Sequence, residues 1–366
     1  METVFKYRVD NFYRYLNLLK KADFGLSIRK SAIINYLKIK RGKFTDVVGK
    51  KTTCPAIVQM YSSRRCNLKC SFCELGYNGS PVNWEIYELT PSIFRKILSL
   101  DIVKKALVIC FTGGEPLLNS DMPELMKIAK SNKYIIGLIT NGLLLNERLE
   151  EIKNIGIADI QLSVYENTKE KLKNILPDVS KFFPLNASYV LPKSQLINGK
   201  DTNFANLIDT IKMCMLSGCA SFKFNICHPN GSNKDGAETI YDNDFVYNSF
   251  IEICKNKLVD VNLTGWGFKR NIFPCKKFTI HFPAPLSNDK SVRNCTQPWT
   301  LFPISGNGDC SLCCGSGGLG NIFVDENIIN NEKAKRIRKC MLNHNLPLEN
   351  ECINCIFRKG AYSSNF

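Results

Sequence analysis

Histidine is scarce in this chain: His228, His281 and His344 are its three. A metal centre built from imidazoles alone is thereby close to excluded. Long apolar runs are missing as well, since no stretch approaches the ~18 uninterrupted apolar residues of a membrane-spanning helix. The opening residues, METVFKYR, carry no apolar run followed by a small-residue cleavage site. Neither export nor a membrane role is therefore expected, and the expected location is cytoplasmic. Internal repeats and low-complexity tracts are absent, which sets aside solenoid and linker architectures. Acidic residues are in the minority, 33 against 49 Lys and Arg, for a net charge of +16. That balance invites an anionic partner such as nucleic acid. The charge is spread, however, with a modest concentration in residues 1–51 (Arg29, Lys30, Lys38, Lys40, Arg41, Lys43). Solvated surface is the preferred reading, and nucleic acid is not expected as a partner.

What the chain does have is cysteine, 17 residues in 366. Without an export signal a disulfide framework is not expected, and clustered cysteine points to metal binding or catalysis. At 44% hydrophobic residues the chain is long enough for one large domain or two to three smaller ones.

Residues 1–45 carry amphipathic helical patterning, with Phe12, Tyr15, Leu16 and Leu19 at helical spacing, which reads as core packing. From about residue 55 strand-like and helix-like segments alternate. Strand-like runs are Ala56–Tyr61, Ala106–Phe111, Tyr134–Ile139, Asp159–Ser163, Ala187–Leu191 and Phe222–Cys227. Between them lie helix-like segments at Pro91–Leu98, Met122–Ala129, Asn146–Ile155, Thr168–Ile175 and Thr202–Ser217. Alternation of this kind predicts a parallel sheet, and six repeats predict a partial (β/α)6 barrel rather than a closed eight-fold one. Such folds carry chemistry at the C-terminal ends of their strands. Residues 228–244 read as a polar loop, and the rhythm breaks after about 235. Near the C-terminus, Phe302–Ser305, Gly306-Asn307-Gly308 and Asp309–Cys313 predict a tight hairpin. The organisation expected is a helical segment at 1–52, the partial barrel at 53–235, a connecting, substrate-side segment at 236–289 and a cysteine-rich unit at 290–366.

The sharpest motif is Cys66-Asn67-Leu68-Lys69-Cys70-Ser71-Phe72-Cys73, on a loop directly after the first strand. Three thiolates can hold a [4Fe–4S] cluster and leave one iron open. Structural zinc normally closes with four ligands, and no further Cys or His follows nearby. Thr112-Gly113-Gly114-Glu115-Pro116 ends the second strand, where glycines let backbone approach a ligand and a carboxylate can receive a cationic amine. Thr140-Asn141-Gly142 and Gln161-Leu162-Ser163 end the third and fourth strands. Turn-forming polar residues are equally at home at strand ends.

The CxxxCxxC loop followed one strand later by GGEP resembles the radical S-adenosylmethionine superfamily. The resemblance implies that the open iron chelates S-adenosylmethionine. It also implies that Phe72 lies near the adenine and that Gly113, Gly114 and Glu115 bind the cofactor, the Glu115 carboxylate receiving its amino group. Ser163 is expected at the ribose or carboxylate, with Asn141 a further candidate. The implied chemistry is reductive cleavage to a 5′-deoxyadenosyl radical. That radical then abstracts hydrogen from a peptide or a small metabolite, for oxidation, crosslinking or epimerisation. A low-potential electron donor such as flavodoxin or ferredoxin is the implied partner.

Cys295, Gly308, Cys313 and Cys352-Ile353-Asn354-Cys355 resemble the auxiliary-cluster extension called SPASM, in its shorter Twitch form. The implication is one auxiliary [4Fe–4S] cluster held by Cys295, Cys313, Cys352 and Cys355. Cys310 or Cys314 could replace Cys313, Cys340 has no role assigned, and four cysteines in two pairs could equally hold zinc. The remaining cysteines, among them Cys110, Cys214 and Cys219, read as small buried residues. The first 50 residues show no evident winged-helix module for peptide recognition. The alternative function is a zinc-containing basic protein that binds or modifies RNA; it leaves Gly113–Glu115 and the strand-loop placement unexplained.

Overall fold

The computed structural model describes residues 55–73, 87–229 except 203, 235–265 except 242, 243 and 259, 278–286, 295–313, and 318–355 except 344 and 354. The helical reading of residues 1–45 and the cysteines at 54, 275 and 314 lie outside the described residues.

The core is an 11-stranded sheet. Its parallel heart follows the expected rhythm: β1 (Ile57–Ser63), β2 (Val108–Gly113), β3 (Ile135–Thr140), β4 (Asp159–Ser163), β5 (Leu185–Leu191) and β6 (Ser221–Ile226). Each pairs in parallel with the next. The connecting helices are α1 (Pro91–Ser99), α2 (Met122–Ser131), α3 (Leu145–Ile152), α4 (Glu166–Val179), and then α5 (Lys193–Gly199) and α6 (Ala205–Leu216) between β5 and β6. Local chemistry sets the helix starts. Before α1, the Thr90 hydroxyl accepts the Ile93 N–H and Pro91 fills a position where no N–H is needed. The helix then buries Phe94, Ile97 and Leu98, and Phe94 packs on Phe111 of β2 with ring centroids 5.6 Å apart. Burying each such side chain contributes roughly 1.5–3 kcal/mol.

The segment read as a connection at 236–289 contributes sheet. Helix α7 (Phe245–Lys257) leads to β7 (Asn262–Gly265), and β8 (Thr279–Phe282) inserts between β6 and β7, parallel to both. These four-residue strands are too short to announce themselves by period. Their inner apolar residues join an aromatic cluster in which Phe224 meets Phe250 of α7 at 5.3 Å and Phe282 at 5.4 Å.

The cysteine-rich C-terminal part joins the opposite edge. After α8 (Gln297–Thr300), β9 (Leu301–Ser305) lies parallel against β1, in register from Ile57 with Leu301 to Tyr61 with Ser305. β10 (Asp309–Ser311) and β11 (Gly318–Asn321) then run antiparallel as the sheet's last two strands. The predicted hairpin forms, closed by Gly308 N–H on Ser305 O at 2.9 Å with Gly308 at φ +88. Helix α9 (Glu332–Leu342) and the short α10 (Asn350–Ile353) follow. Among the described residues no helix is long and apolar enough to cross a membrane.

Candidate active site at the ends of the parallel strands

The CxxxCxxC loop leaves the C-terminal end of β1, and backbone contacts hold it to β2. Gly114 N–H donates to Ser63 O at 2.8 Å and Glu115 N–H to Arg65 O at 2.7 Å. Gly113 has φ +145, and a Cβ there would fall 2.2 Å from Ser63 O, so only glycine allows this approach. On the other side, the Arg65 guanidinium meets Glu88 at 2.5 Å and Leu118 O at 2.8 Å. Within the loop, Cys73 N–H donates to Cys70 O at 3.2 Å and Leu68 N–H to Cys66 Sγ at 3.4 Å.

All three sulfurs are half-buried. Burial pushes the Cys70 thiol up to about 11, and the neighbouring Cys73 and Cys66 thiolates add to it. Cys66 is raised by burial and by Glu115 and Cys73. A set of thiols that repel one another as anions is one that cationic iron would stabilise. Among the described residues no three Cys, His, Asp or Glu side chains converge tightly enough to hold a single metal ion. A cluster does not require that, because each thiolate meets its own iron. The three thiols therefore fit a cluster with three protein ligands.

Glu115 is fully buried. Its Oε1 accepts from Leu117 N–H at 3.0 Å and the Thr140 hydroxyl at 2.7 Å, and its Oε2 from Asn141 N–H at 2.8 Å. Burial still holds the carboxyl above its ordinary range against those three donors. A carboxylate offers about four lone-pair positions, so Oε2 retains room for one more donor. Asn141 acts on the cysteine loop as well: its Nδ2 donates to Asn67 Oδ1 at 2.6 Å, inside the CxxxCxxC motif.

Phe72 and Ser163 meet through a residue the sequence reading missed. Tyr165, two residues past β4, packs its ring 5.2 Å from Phe72, and its hydroxyl bonds to the Ser163 side chain. Burial and the nearby Cys70 raise the phenol well above its ordinary value, and the Ser163 bond opposes this. The same ring lies 5.7 Å from that of Tyr189. No spacing rule marks such a residue, because its role follows from two loops meeting in space.

A second cysteine set assembles along the β1–β9 edge. Cys295 is buried, and its thiol is pushed well up by burial and by Cys355, Cys313 and Cys352. Four buried thiols from three chain segments thus lie near enough for their charges to act on Cys295, a donor set whose chemistry fits a fully ligated cluster. Cys310 stands apart: its charged neighbours are Asp309 and Asp325, and its Sγ faces Gly320 O at 3.4 Å. Cys340 turns back on its own helix, Sγ to Ile337 O at 3.1 Å. Buried Arg338 braces the set, donating from Nε to Pro298 O at 2.9 Å and from Nη1 to Ile329 O at 2.8 Å. Arg336 grips Glu349 at 2.7 Å and 3.2 Å, fixing the turn before Cys352.

The register separates the two sets. Cys66 follows the C-terminal end of β1, whereas Cys295 precedes β9 and Cys313 follows β10 on its way back. The seven residues of β1 span roughly 20 Å between them.

The sequence pattern of the radical SAM superfamily matches residues 60–242, half of the chain, and the chain belongs to that superfamily. The family binds a [4Fe–4S] cluster and S-adenosylmethionine. The chain is 31% identical over 120 residues to the GTP 3′,8-cyclase of Chlorobaculum tepidum, covering 32% of this chain and 35% of that protein. It is 33% identical over 123 residues to the PqqA peptide cyclase of Bradyrhizobium diazoefficiens, 32% of this chain and 30% of the relative. The chain thus spans about a third of the length of these relatives. In fold it resembles Streptococcus suis SuiB bound to precursor peptide SuiA, with TM-score 0.56 and 15% identity over 88% of this chain and 74% of that one. SuiB bound to S-adenosylmethionine gives TM-score 0.55 at 16% identity, over 88% of this chain and 76% of that one.

Proposed function

We propose that this enzyme reductively cleaves S-adenosylmethionine and abstracts hydrogen from a peptide or a small metabolite, with Cys66, Cys70 and Cys73 holding the first cluster. The observation that carries the reading is the loop of three mutually repelling thiols beside buried Glu115, in a chain of this superfamily. When bound, the cluster supplies the electron that splits the sulfonium into methionine and a 5′-deoxyadenosyl radical.

The residues then have separate tasks. Glu115 offers Oε2 to the cofactor's amino group while its other bonds hold the ends of β2 and β3 together. Gly113 and Gly114 let the chain pass close beneath the cofactor. Phe72 covers the adenine with Tyr165 behind it, and Ser163 presents a hydroxyl to the ribose or carboxylate. Asn141 keeps Asn67, and with it the cysteine loop, in place. Cys295, Cys313, Cys352 and Cys355 hold an auxiliary cluster of the SPASM/Twitch kind, and flavodoxin or ferredoxin supplies reducing equivalents. A peptide substrate is supported by the peptide-bound SuiB fold and the PqqA peptide cyclase relative, a small metabolite by the GTP 3′,8-cyclase relative. The zinc-containing RNA-binding reading leaves the superfamily match unexplained.

The test is 5′-deoxyadenosine formation by anaerobically reconstituted protein under a strong reductant. Detecting none from protein with an intact, reduced cluster counts decisively against the proposal.

A further inference from the structure

Helix α9 buries Ala334, Ile337, Arg338 and Met341, the i, i+3, i+4, i+7 stripe of a core-facing helix. Arginine is the misfit in that stripe. It is 6% exposed, and the atoms that hold its guanidinium are all neutral. Nε donates to Pro298 O at 2.9 Å, and Nη1 to Ile329 O at 2.8 Å and Asn330 Oδ1 at 3.3 Å. Nη2 is buried with no hydrogen-bond partner, and no carboxylate pairs with the guanidinium among the described residues. The acids flanking α9 are engaged elsewhere, Glu332 with Lys335 and Glu349 with Arg336. Burial lowers the Arg338 pKa to about 10, which still leaves it protonated at neutral pH. A buried cation costs more than bonds to neutral carbonyls return, unless an anion faces it.

The bond to Pro298 points to that anion. Pro298 belongs to the short turn of α8, and the preceding Gln297 N–H donates to the Cys295 sulfur. Two hydrogen bonds and the chain between neighbouring residues thus separate that sulfur from the guanidinium, a span on the order of 10 Å. The charges acting on Cys295 are those of Cys355, Cys313 and Cys352. Four thiolates outweigh the positive iron core they would hold, and each electron taken up adds one more negative charge. Net charge and burial are among the properties that set a cluster's potential.

We infer that the Arg338 guanidinium is the buried counter-charge of the auxiliary cluster, favouring its reduced form and so its use as an electron acceptor. The inference rests on the auxiliary cluster proposed above and names the residue that tunes it. The electron is the one a substrate radical releases on oxidation, and Arg338 neither gives nor takes a proton. At an effective dielectric of about 20, one unit charge ~10 Å away shifts a one-electron equilibrium tenfold or more.

The test is a redox titration of anaerobically reconstituted full-length protein, poised with dithionite and followed by electron paramagnetic resonance. S-adenosylmethionine alters the first cluster's signal, so the signal it leaves unchanged reports the auxiliary cluster. Arg338→Gln removes the charge, whereas Arg338→Lys keeps it and gives up part of the bonding to Pro298 and Ile329. The Gln variant should shift the auxiliary equilibrium toward the oxidised form tenfold or more, about 59 mV for one electron, or fail to retain that cluster. The Lys variant should keep both the cluster and a potential near that of wild type. A Gln variant at the wild-type potential overturns the inference. So does a Lys variant that loses the cluster or falls as far as Gln, because Arg338 is then only a brace. Wild-type protein holding about four irons sinks the auxiliary cluster itself. About eight irons, with a potential indifferent to Arg338, sinks this inference alone.

Discussion

The carboxylate of Glu115 and the backbone N–H of Asn141, 2.8 Å apart, join the C-terminal ends of β2 and β3. Through the Asn141 side chain the same link reaches Asn67 in the cysteine loop. Glu115 therefore belongs to the scaffold of the site as well as to its proposed ligand contact, which changes what its removal should do.

Glu115→Ala strands the Leu117 N–H, the Thr140 hydroxyl and the Asn141 N–H without their acceptor. Buried donors left this way cost roughly 1–3 kcal/mol each, and partial relaxation brings the expected loss to about 3 kcal/mol. Denaturant unfolding should show that loss, and S-adenosylmethionine affinity should fall while iron per folded chain is retained. A residue that only touched the ligand would leave unfolding unchanged, so unchanged stability refutes the bracing role.

Cys313, not Cys310, lies with Cys295, Cys352 and Cys355. Reconstituted protein should hold about eight irons from two four-iron clusters. Cys313→Ala should lose about half of them, as should the triple change of Cys66, Cys70 and Cys73 to Ala. Cys310→Ala and Cys340→Ala should lose none. Iron and sulfide analysis decides; stoichiometric zinc without iron refutes both cluster assignments.

The strand–helix rhythm was legible because helices of eight or more residues and apolar strands carry strong period. Both cysteine sets were legible because loop motifs fix spacing along the chain. β7 and β8 were not, since four-residue strands such as Thr279–Phe282 have too few residues for a period to register. Nor was the pairing of β9 with β1, a contact across more than 240 residues that no local pattern encodes. The choice between Cys310 and Cys313 likewise turned on which way each side chain points from the hairpin, while Cys314, the other alternative, lies outside the described residues. Tyr165 emerged only where the loops after β1 and β4 meet in space.

His228, just past β6, is buried, and burial lowers its pKa to about 4. In the unfolded chain it takes up its proton near 6.5, so the folded state binds fewer protons between those values. Its contribution to stability is full above pH 6.5 and is lost as pH falls toward 4. Between pH 7 and 5.5 the loss is about 1 kcal/mol. His228→Asn should flatten the pH dependence of denaturant unfolding by that amount across this window. An identical slope in variant and wild type would contradict the neutral buried state.

Gly306, at the tip of the β9–β10 turn, lies against the backbone of residues 87–89, where an added Cβ would come 2.4 Å from Tyr87 O. The same residues hold the cysteine loop, because Glu88 pairs with Arg65 and Leu89 N–H donates to Ser62 O at 3.0 Å. The hairpin of the C-terminal part is therefore linked to the cysteine loop by way of residues 87–89. Changing Cys352 and Cys355 together to Ala should remove the auxiliary cluster, leave the hairpin on residues 87–89, and spare cofactor cleavage in the absence of substrate. Gly306→Ala should instead push on residues 87–89 and alter the electron paramagnetic resonance signal of the first cluster, while both clusters still load. Product formation separates two roles for the auxiliary cluster. An oxidised product leaves an electron that needs an acceptor, so the double cysteine variant should cleave cofactor yet yield no product per folded molecule. A cluster that only staples the C-terminus would lower the folded fraction and leave product per folded molecule unchanged, an outcome that mass spectrometry normalised to folded protein would detect.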